Sequence, residues 1–373
     1  MDLDEGLVEL ARVPPAATPV VSVYLDTEWT DEQQRERVRI FLKNELREAR
    51  RADGAARAAD VDLDWIEEQG GALLQPDAAE EARGVALFAC EAVGLRKLLR
   101  SRVAFESLFA VDAAPRLRPL AEARDAAPSA LLVFVDTENG RLLTLTPAGL
   151  GEELDVQTEV PGHHKQGGSA AERLQRHFHE ERARHYERVA QLVIHAVDAQ
   201  GVRLIVLAGD ERNTALFRGD LPDRTARYVV GTVPGAHYEP FEAIAARASE
   251  VLTRVDQQAE IADVGAALVA AAKRGKAAAG ASAVVEAANQ DAVSRLYVLK
   301  GWTEPGRKCL RCGMLGVGFT WSCPVCGGDA HTVELAEAII QRVVSAGGEV
   351  EPVQTHDGLA KAGGIAADLR HPL

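Results

Sequence analysis

A chain of 373 residues, 47% of them hydrophobic, is long enough for two or three domains and too apolar to remain disordered. Its formal net charge of -14, from 56 Asp and Glu against 42 Lys and Arg, disfavours indiscriminate coating of nucleic acid but permits docking through a local basic patch. The opening Met1-Asp2-Leu3-Asp4-Glu5 has neither the basic nor the apolar region of a secretory signal, and no run approaches ~18 apolar residues, so a cytoplasmic protein with no membrane partner is expected.

In chain order, residues 20–25 form a β-branched run that predicts a buried strand. A charged helix is expected over residues 31–51, with Val38, Phe41, Leu42 and Leu46 at helical spacing. Residues 84–88 are a second short strand, and a linker over 123–128 closes the block. The next block opens with the apolar run 130–136, then Asn139-Gly140, then 142–145, the pattern of a β-hairpin. After a polar loop and a long arginine-rich helix, residues 202–209 predict a strand covered on both faces. Residues 213–221 read as helix and 228–231 as strand. A long helical stretch over 239–274 leads to the third block, with helix at 284–291, strand at 295–299, helix at 332–345 and strands at 349–353 and 363–370. The alanine-rich stretch 262–288 favours helix by composition. Strands alternating with helices imply an α/β class with mixed α+β character, divided as 1–128, 129–255 and 256–373.

Two constellations bear chemistry. In the first, Gly167-Gly168 lies between His163, His164, Lys165 and Gln166 on one side and a helix bearing Arg173, Arg176, Arg182, Arg184 and Arg188 on the other. Paired glycines let backbone approach a ligand closely, and the flanking groups are hydrogen-bond donors suited to a polyanion. Five of the ten histidines (163, 164, 177, 179, 185) fall in this loop and helix. The bland alternative is a flexible turn followed by a solvated charged helix. Arg173 and Arg176, at i and i+3, are expected on one face, a geometry suited to phosphates.

The second constellation is Cys309-x-x-Cys312 and Cys323-x-x-Cys326, two matched pairs separated by ten residues. Gly313, Pro324 and Gly327 supply tight turns. Four thiolates suit tetrahedral Zn2+ with no open position for substrate, so the expected role is structural. A redox role for one pair is the weaker alternative. Cys90, alone beside a strand, reads as a small buried hydrophobe.

Taken together, the residues 164–176 (His-Lys-Gln-Gly-Gly-Ser-Ala-Ala-Glu-Arg-Leu-Gln-Arg), the two cysteine pairs, and the tail segments 334–336, 347–351 and 363–370 resemble the archaeo-eukaryotic class-1 peptide-chain release factors and Pelota, in particular their divergent bacterial relatives. The resemblance covers roughly the last two-thirds of the chain. It implies a three-domain release-factor-like architecture with a zinc-binding insertion in the third domain. It also implies a ribosomal partner contacted through ribosomal RNA or peptidyl-tRNA, with a translational GTPase as a further candidate partner.

In that family a Gly-Gly-Gln loop enters the peptidyl transferase centre, and its glutamine places water against the peptidyl-tRNA ester. Aligned on the glycines, the glutamine position is Ser169, so Gly167, Gly168 and Ser169 are the candidate catalytic residues. His163, His164, Lys165, Gln166, Arg173 and Arg176 are the candidate RNA contacts. A serine side chain is shorter, and a misplacement of about 1 Å can cost roughly 100-fold in rate. The family's stop-codon motifs Asn-Ile-Lys-Ser and Tyr-x-Cys-x-x-x-Phe are absent from the N-terminal block. Three readings follow: codon-independent release or rescue of peptidyl-tRNA at the A site, non-enzymatic occupation of the ribosome for protection or hibernation, and an unrelated binding protein on the same scaffold.

Overall fold

The structure, a computed structural model, describes residues 3–29, 31–54, 57–75, 82–157, 169–199, 201–318 and 322–373. It forms two compact units, Met1–Ala126 with Gln258–Leu373, and Ala127–Gln257.

The first unit begins with α1 (Leu3–Ala11), β1 (Val20–Asp26), α2 (Glu32–Arg51), α3 (Asp60–Leu73), β2 (Gly84–Cys90), β3 (Leu95–Ser101), β4 (Leu108–Asp112) and α4 (Arg118–Ala126). Its sheet is antiparallel in the order β3-β2-β1-β4. Val21, Val23 and Leu25 face Val38, Leu42, Leu46, Leu63 and Ile66 of α2 and α3. The intervening Ser22 and Tyr24 face the other way: the Ser22 hydroxyl accepts the Arg116 N–H at 3.1 Å and the Tyr24 hydroxyl donates to the Arg116 carbonyl. Both faces of β1 are therefore covered, which is why its apolar run is continuous rather than alternating. The helix expected at 31–51 forms, with Asp31 as N-cap accepting from the Gln34 N–H at 2.5 Å. Cys90 is fully buried at the end of β2, as a small hydrophobe would be.

The second unit holds β5 (Ala130–Val135), β6 (Asn139–Thr146), β7 (Gly149–Gln157), α5 (Ser169–Ala199), β8 (Ile205–Ala208), α6 (Glu211–Asp220), α7 (Asp223–Ala226) and β9 (Val229–Val233). It also holds the first half of α8 (Phe241–Ala272). Its sheet runs β7-β6-β5-β8-β9, with β5, β8 and β9 parallel and β6 and β7 antiparallel. Helices α5 and α6 cover one face of the central strands and α8 the other, which accounts for the unbroken apolar sequences of β5 and β8.

The expected hairpin forms, but Asn139-Gly140 is not its turn. Both residues belong to β6, and Gly140 pairs with Val135. The turn is closed instead by Asp136, whose Oδ1 accepts the N–H groups of Glu138 and Asn139, both at 2.7 Å. Glycine at 140 answers a packing need, since a Cβ there would lie 2.5 Å from Cγ2 of Val189 on α5.

The first unit resumes with β10 (Ala277–Ala279), α9 (Ala281–Asn289), β11 (Val293–Leu299), β12 (Pro305–Cys309), β13 (Leu315–Gly316), β14 (Ala330–Glu334), α10 (Leu335–Ser345), β15 (Glu349–Val353), α11 (Asp357–Lys361) and β16 (Ile365–Leu369). One sheet is ordered β10-β16-β11-β15, with only β11 and β15 parallel, and a smaller ribbon is ordered β13-β12-β14. The helix expected from 332 starts later: Thr332 lies in β14, and Glu334 caps α10 by accepting from the Ala336 and Glu337 N–H groups at 3.0 and 2.8 Å. Strand β7, acidic on its exposed edge, and the short β3, β4 and β10 were not foreseen.

The two chain segments of this unit are joined by polar contacts. Glu337 on α10 accepts the N–H groups of Leu117 and Arg118, at 2.9 and 3.3 Å, and so caps α4 from across the unit. The Arg118 guanidinium donates to the carbonyls of Trp302 and Leu299, and Arg124 to that of Val350. Among the described residues, no helix is long and apolar enough to cross a membrane.

Candidate metal centre and the helix behind the basic loop

The cysteine centre is built from two copies of one local turn. In the first, Cys309 receives the Arg311 N–H on its sulfur at 3.4 Å, and its carbonyl accepts the Gly313 N–H at 3.0 Å. In the second, Cys323 receives the Val325 N–H on sulfur at 3.4 Å, and its carbonyl accepts from Gly327 at 2.9 Å. Gly313 and Gly327 have φ of +70° and +68°, a conformation that glycine adopts without steric cost. The spacing Cys-x-x-Cys-Gly is thus a complete instruction for the turn.

The two turns bring all four sulfurs within 4.8 Å of one another. Individual separations are 3.5 Å for Cys309 to Cys326, 3.6 Å for Cys312 to Cys323 and 3.4 Å for Cys312 to Cys326. These are too long for disulfides, and all five cysteines are free thiols. A tetrahedral ion with Zn–S bonds of ~2.3 Å has sulfur–sulfur edges of about 3.8 Å, so the donor set fits such an ion with little movement. Backbone N–H groups favour thiolate character at two of the four positions: that of Cys312, acting against burial, lowers Cys309 and that of Cys326 lowers Cys323, whereas at Cys312 the Met314 N–H is outweighed by the facing sulfurs and burial, which push the thiol up to about 12. Gly328 is required by proximity, because a Cβ there would meet Arg311 at 2.9 Å and two of the sulfurs at 3.3 and 3.4 Å. The four expected cysteines could therefore hold a metal ion.

The loop residues His163, His164, Lys165, Gln166, Gly167 and Gly168 lie outside the described residues. Ser169 is the first residue of α5, so the position aligned with the family's glutamine belongs to the helix rather than to the loop. Its N–H is among the first four of the helix, which have no intrahelical acceptor and point toward any anion placed there. Arg173 lies in the first turns of α5, and Arg176 is exposed.

Among the side chains described, burial on α5 starts only at His185 and Tyr186, then recurs at Val189, Ala190, Val193, Ala196 and Val197. At ~1.5 Å per residue, the helix places Ser169 roughly 24 Å ahead of that first packing contact. Tyr186 anchors the seat: its ring packs edge-on against Phe217 with centroids 5.6 Å apart, and its hydroxyl donates to Oδ1 of Asn213 at 3.1 Å. Burial drives its pKa up to about 12.

The basic strip expected along α5 is shorter than the sequence suggests. Arg176, His177, His179, Arg184 and Arg188 are exposed, but Arg184 pairs with Glu181 at 2.7 Å and His177 approaches the same carboxylate at 3.7 Å. His185 is not part of the strip. It is buried against Gly140 and its pKa is lowered chiefly by burial, which keeps it neutral. Tyr186 and its partners went unnoticed in the sequence, although Tyr186, Val189, Val193 and Val197 stand at helical spacing and could have marked the seat.

Residues 115–260 match the model of the bacterial archaeo-eukaryotic release factor family 10. That segment, less than half of the chain, is similar to the bacterial relatives of the archaeo-eukaryotic release factors. Several solved structures are similar to the chain. A model of ribosome-bound archaeal Pelota and ABCE1 is 16% identical with a TM-score of 0.45, over 99% of this chain and 94% of that one. Dom34 of S. cerevisiae, a translation termination-like factor, is 13% identical with a TM-score of 0.41, over 75% and 73% of the two chains. The archaeal termination factor aRF1 is 15% identical with a TM-score of 0.28, over 99% and 97%. No curated protein matches the chain.

Proposed function

We propose that this chain is a ribosome-associated translation factor that acts at the A site and releases or rescues peptidyl-tRNA without reading a codon, through the loop 163–169. The observation that supports this most is the family match over 115–260, which contains the whole of that loop and the whole of α5. A long helix whose buried positions, among the described side chains, all lie in its C-terminal half suits a device that presents a loop to a distant partner. Its first N–H groups, with His163, His164, Lys165, Gln166, Arg173 and Arg176 close to them in sequence, suit RNA phosphates. Zn2+ held by Cys309, Cys312, Cys323 and Cys326 stabilises the ribbon and takes no part in the chemistry. Delivery by a translational GTPase belongs to the same reading.

A second reading is favoured by the residue at 169. Serine there gives a short hydroxyl where the family has glutamine, leaving the backbone N–H as the group that could stabilise developing charge. The factor would then occupy the ribosome without hydrolysis.

Co-sedimentation with bacterial ribosomes that hold a stalled peptidyl-tRNA, at two salt concentrations and with released peptide read in the same tubes, tests both. Salt-sensitive binding that is lost in a Gly167→Ala/Gly168→Ala variant is expected. Peptide release on top of binding supports hydrolysis, and binding without release supports occupation. A gain of release in Ser169→Gln would show a competent frame lacking one group. Absence of binding at either salt overturns both readings.

A further inference from the structure

A cavity of about 440 Å³ lies between the loop that follows β4, the face of the β12–β14 ribbon and helix α10. Its volume is within the range that takes small organic molecules. One wall is Ala113, Ala114 and Pro115, fixed in place by the two contacts of Arg116 with Ser22 and Tyr24. The opposite wall is the ribbon, where Lys308 and His331 are direct cross-strand partners and so share a face.

The charges in this cavity are unequally committed. Of the four carboxylates in the lining, Glu337 accepts the N–H groups of Leu117 and Arg118, Glu334 those of Ala336 and Glu337, and Asp112 the Arg116 guanidinium at 2.7 Å, and the fourth is Glu304. The basic end is different. Lys308 donates to Oε1 of Gln341 at 3.1 Å, a neutral acceptor that uses one of its three N–H groups, and no carboxylate pairs with it among the described residues. Nδ1 of His331 is buried with no hydrogen-bond partner. A buried polar atom without a partner and an ammonium without a counter-ion, side by side at the end of an apolar chamber, are costly unless something completes them.

We infer that this cavity binds a small amphipathic anion, an apolar or aromatic body seated on Ala113, Ala114 and Pro115 with its carboxylate or phosphate held by Lys308 and His331.

The test uses the full chain labelled with 13C at the histidine rings, with His331 assigned by comparison with His331→Gln. Phenyl phosphate, benzoate, phenol and inorganic phosphate are titrated separately to on the order of 10 mM, enough to reveal any Kd below about 1 mM. The expected result is a saturable shift of the His331 signal with phenyl phosphate or benzoate, the stronger of the two marking the preferred anion. Binding should be about tenfold or more tighter than for phenol, which lacks the anion, or inorganic phosphate, which lacks the body. Lys308→Met, which keeps the apolar stem, should weaken it by a similar factor. A His331 signal unmoved by both aromatic anions overturns the proposal, as does phenol binding equally well. The ranking of the four probes needs only the unmodified protein, so the proposal stays testable should the lysine variant fold poorly.

Discussion

The cysteine centre and the seat of α5 are held by opposite means. The centre is local: two five-residue turns, each closed by its own backbone and a glycine at positive φ, place four sulfurs within 4.8 Å. Little apolar surface supports it, and Leu310 and Val325, at 70% and 69% exposure, stand out in solvent beside it. The seat of α5 has no motif at all. It is an assembly of Tyr186, Val189 and Val193 with Phe217 of α6 and strands that are distant in sequence. A site of the first kind depends on its ligand, whereas one of the second kind depends on packing and survives without any ligand.

The largest effect that this contrast predicts is metal removal. A four-thiolate site contributes about 10–16 kcal/mol of apparent binding energy, more than a domain's net stability. One Zn2+ per chain is expected by elemental analysis. Chelation or Cys323→Ser should abolish amide protection in β12 and β14 while leaving that of β5 and β8 unchanged. Full protection of the ribbon after chelation would falsify a structural metal there.

Breaking the other side requires a cavity. Tyr186→Ala should cost about 3–5 kcal/mol in urea unfolding, the range for removing a buried aromatic ring. Tyr186→Phe, which leaves Asn213 without its donor, should cost only about 1 kcal/mol. Neither change should alter metal content. Gly140→Ala tests the seat from the strand side: its Cβ would be pressed 2.5 Å from Val189, for a cost of about 1–3 kcal/mol.

The contrast also explains which parts were legible in the sequence. The strands β1, β5, β8 and β11 were evident because each is a short apolar run, and α2 and α8 because their periodicity is sustained. Cys309, Cys312, Cys323 and Cys326 were evident because a turn of fixed length is itself a sequence pattern. What escaped depends on neighbours remote in the chain. Gly140 looks like a turn residue until Val189, forty-nine positions on, is seen to need the space. His185 looks like part of a basic strip until β6 covers it. Glu337 looks like an ordinary surface carboxylate of a helix, yet it caps α4 from 220 residues away.

Glu337 stands between the two modes, a polar contact whose worth depends on pH. Burial, the largest influence on it, outweighs the N–H groups of Leu117 and Arg118 and lifts its pKa from 4.5 to about 6. Because the folded pKa is raised, the folded state holds this proton more tightly than the unfolded state does. The resulting stabilisation is fully present below about 4.5 and is lost as pH rises through about 6, a difference of about 2 kcal/mol between the two limits. Glu337→Gln should flatten this part of the stability profile while keeping one of the two acceptors, at a cost of about 1 kcal/mol, whereas Glu337→Ala, which strips the cap from α4, should cost about 1–2 kcal/mol throughout. An unchanged pH profile in Glu337→Gln would show that another group titrates.

The smallest effect on stability should be the most informative about function. Arg176 is exposed and precedes every position of α5 that is buried among the described side chains, so Arg176→Ala should change stability by no more than about 0.5 kcal/mol. If that half of the helix exists to meet RNA, the same change must weaken ribosome binding and lower the slope of log affinity against log salt by about 1, the signature of one lost phosphate contact. Arg184→Ala is the internal control. Its guanidinium is already paired with Glu181, so its loss should alter the salt slope less. Equal slopes for Arg176→Ala and the unmodified protein would mean that the exposed half of α5 is a solvated spacer, and that recognition rests on the loop alone.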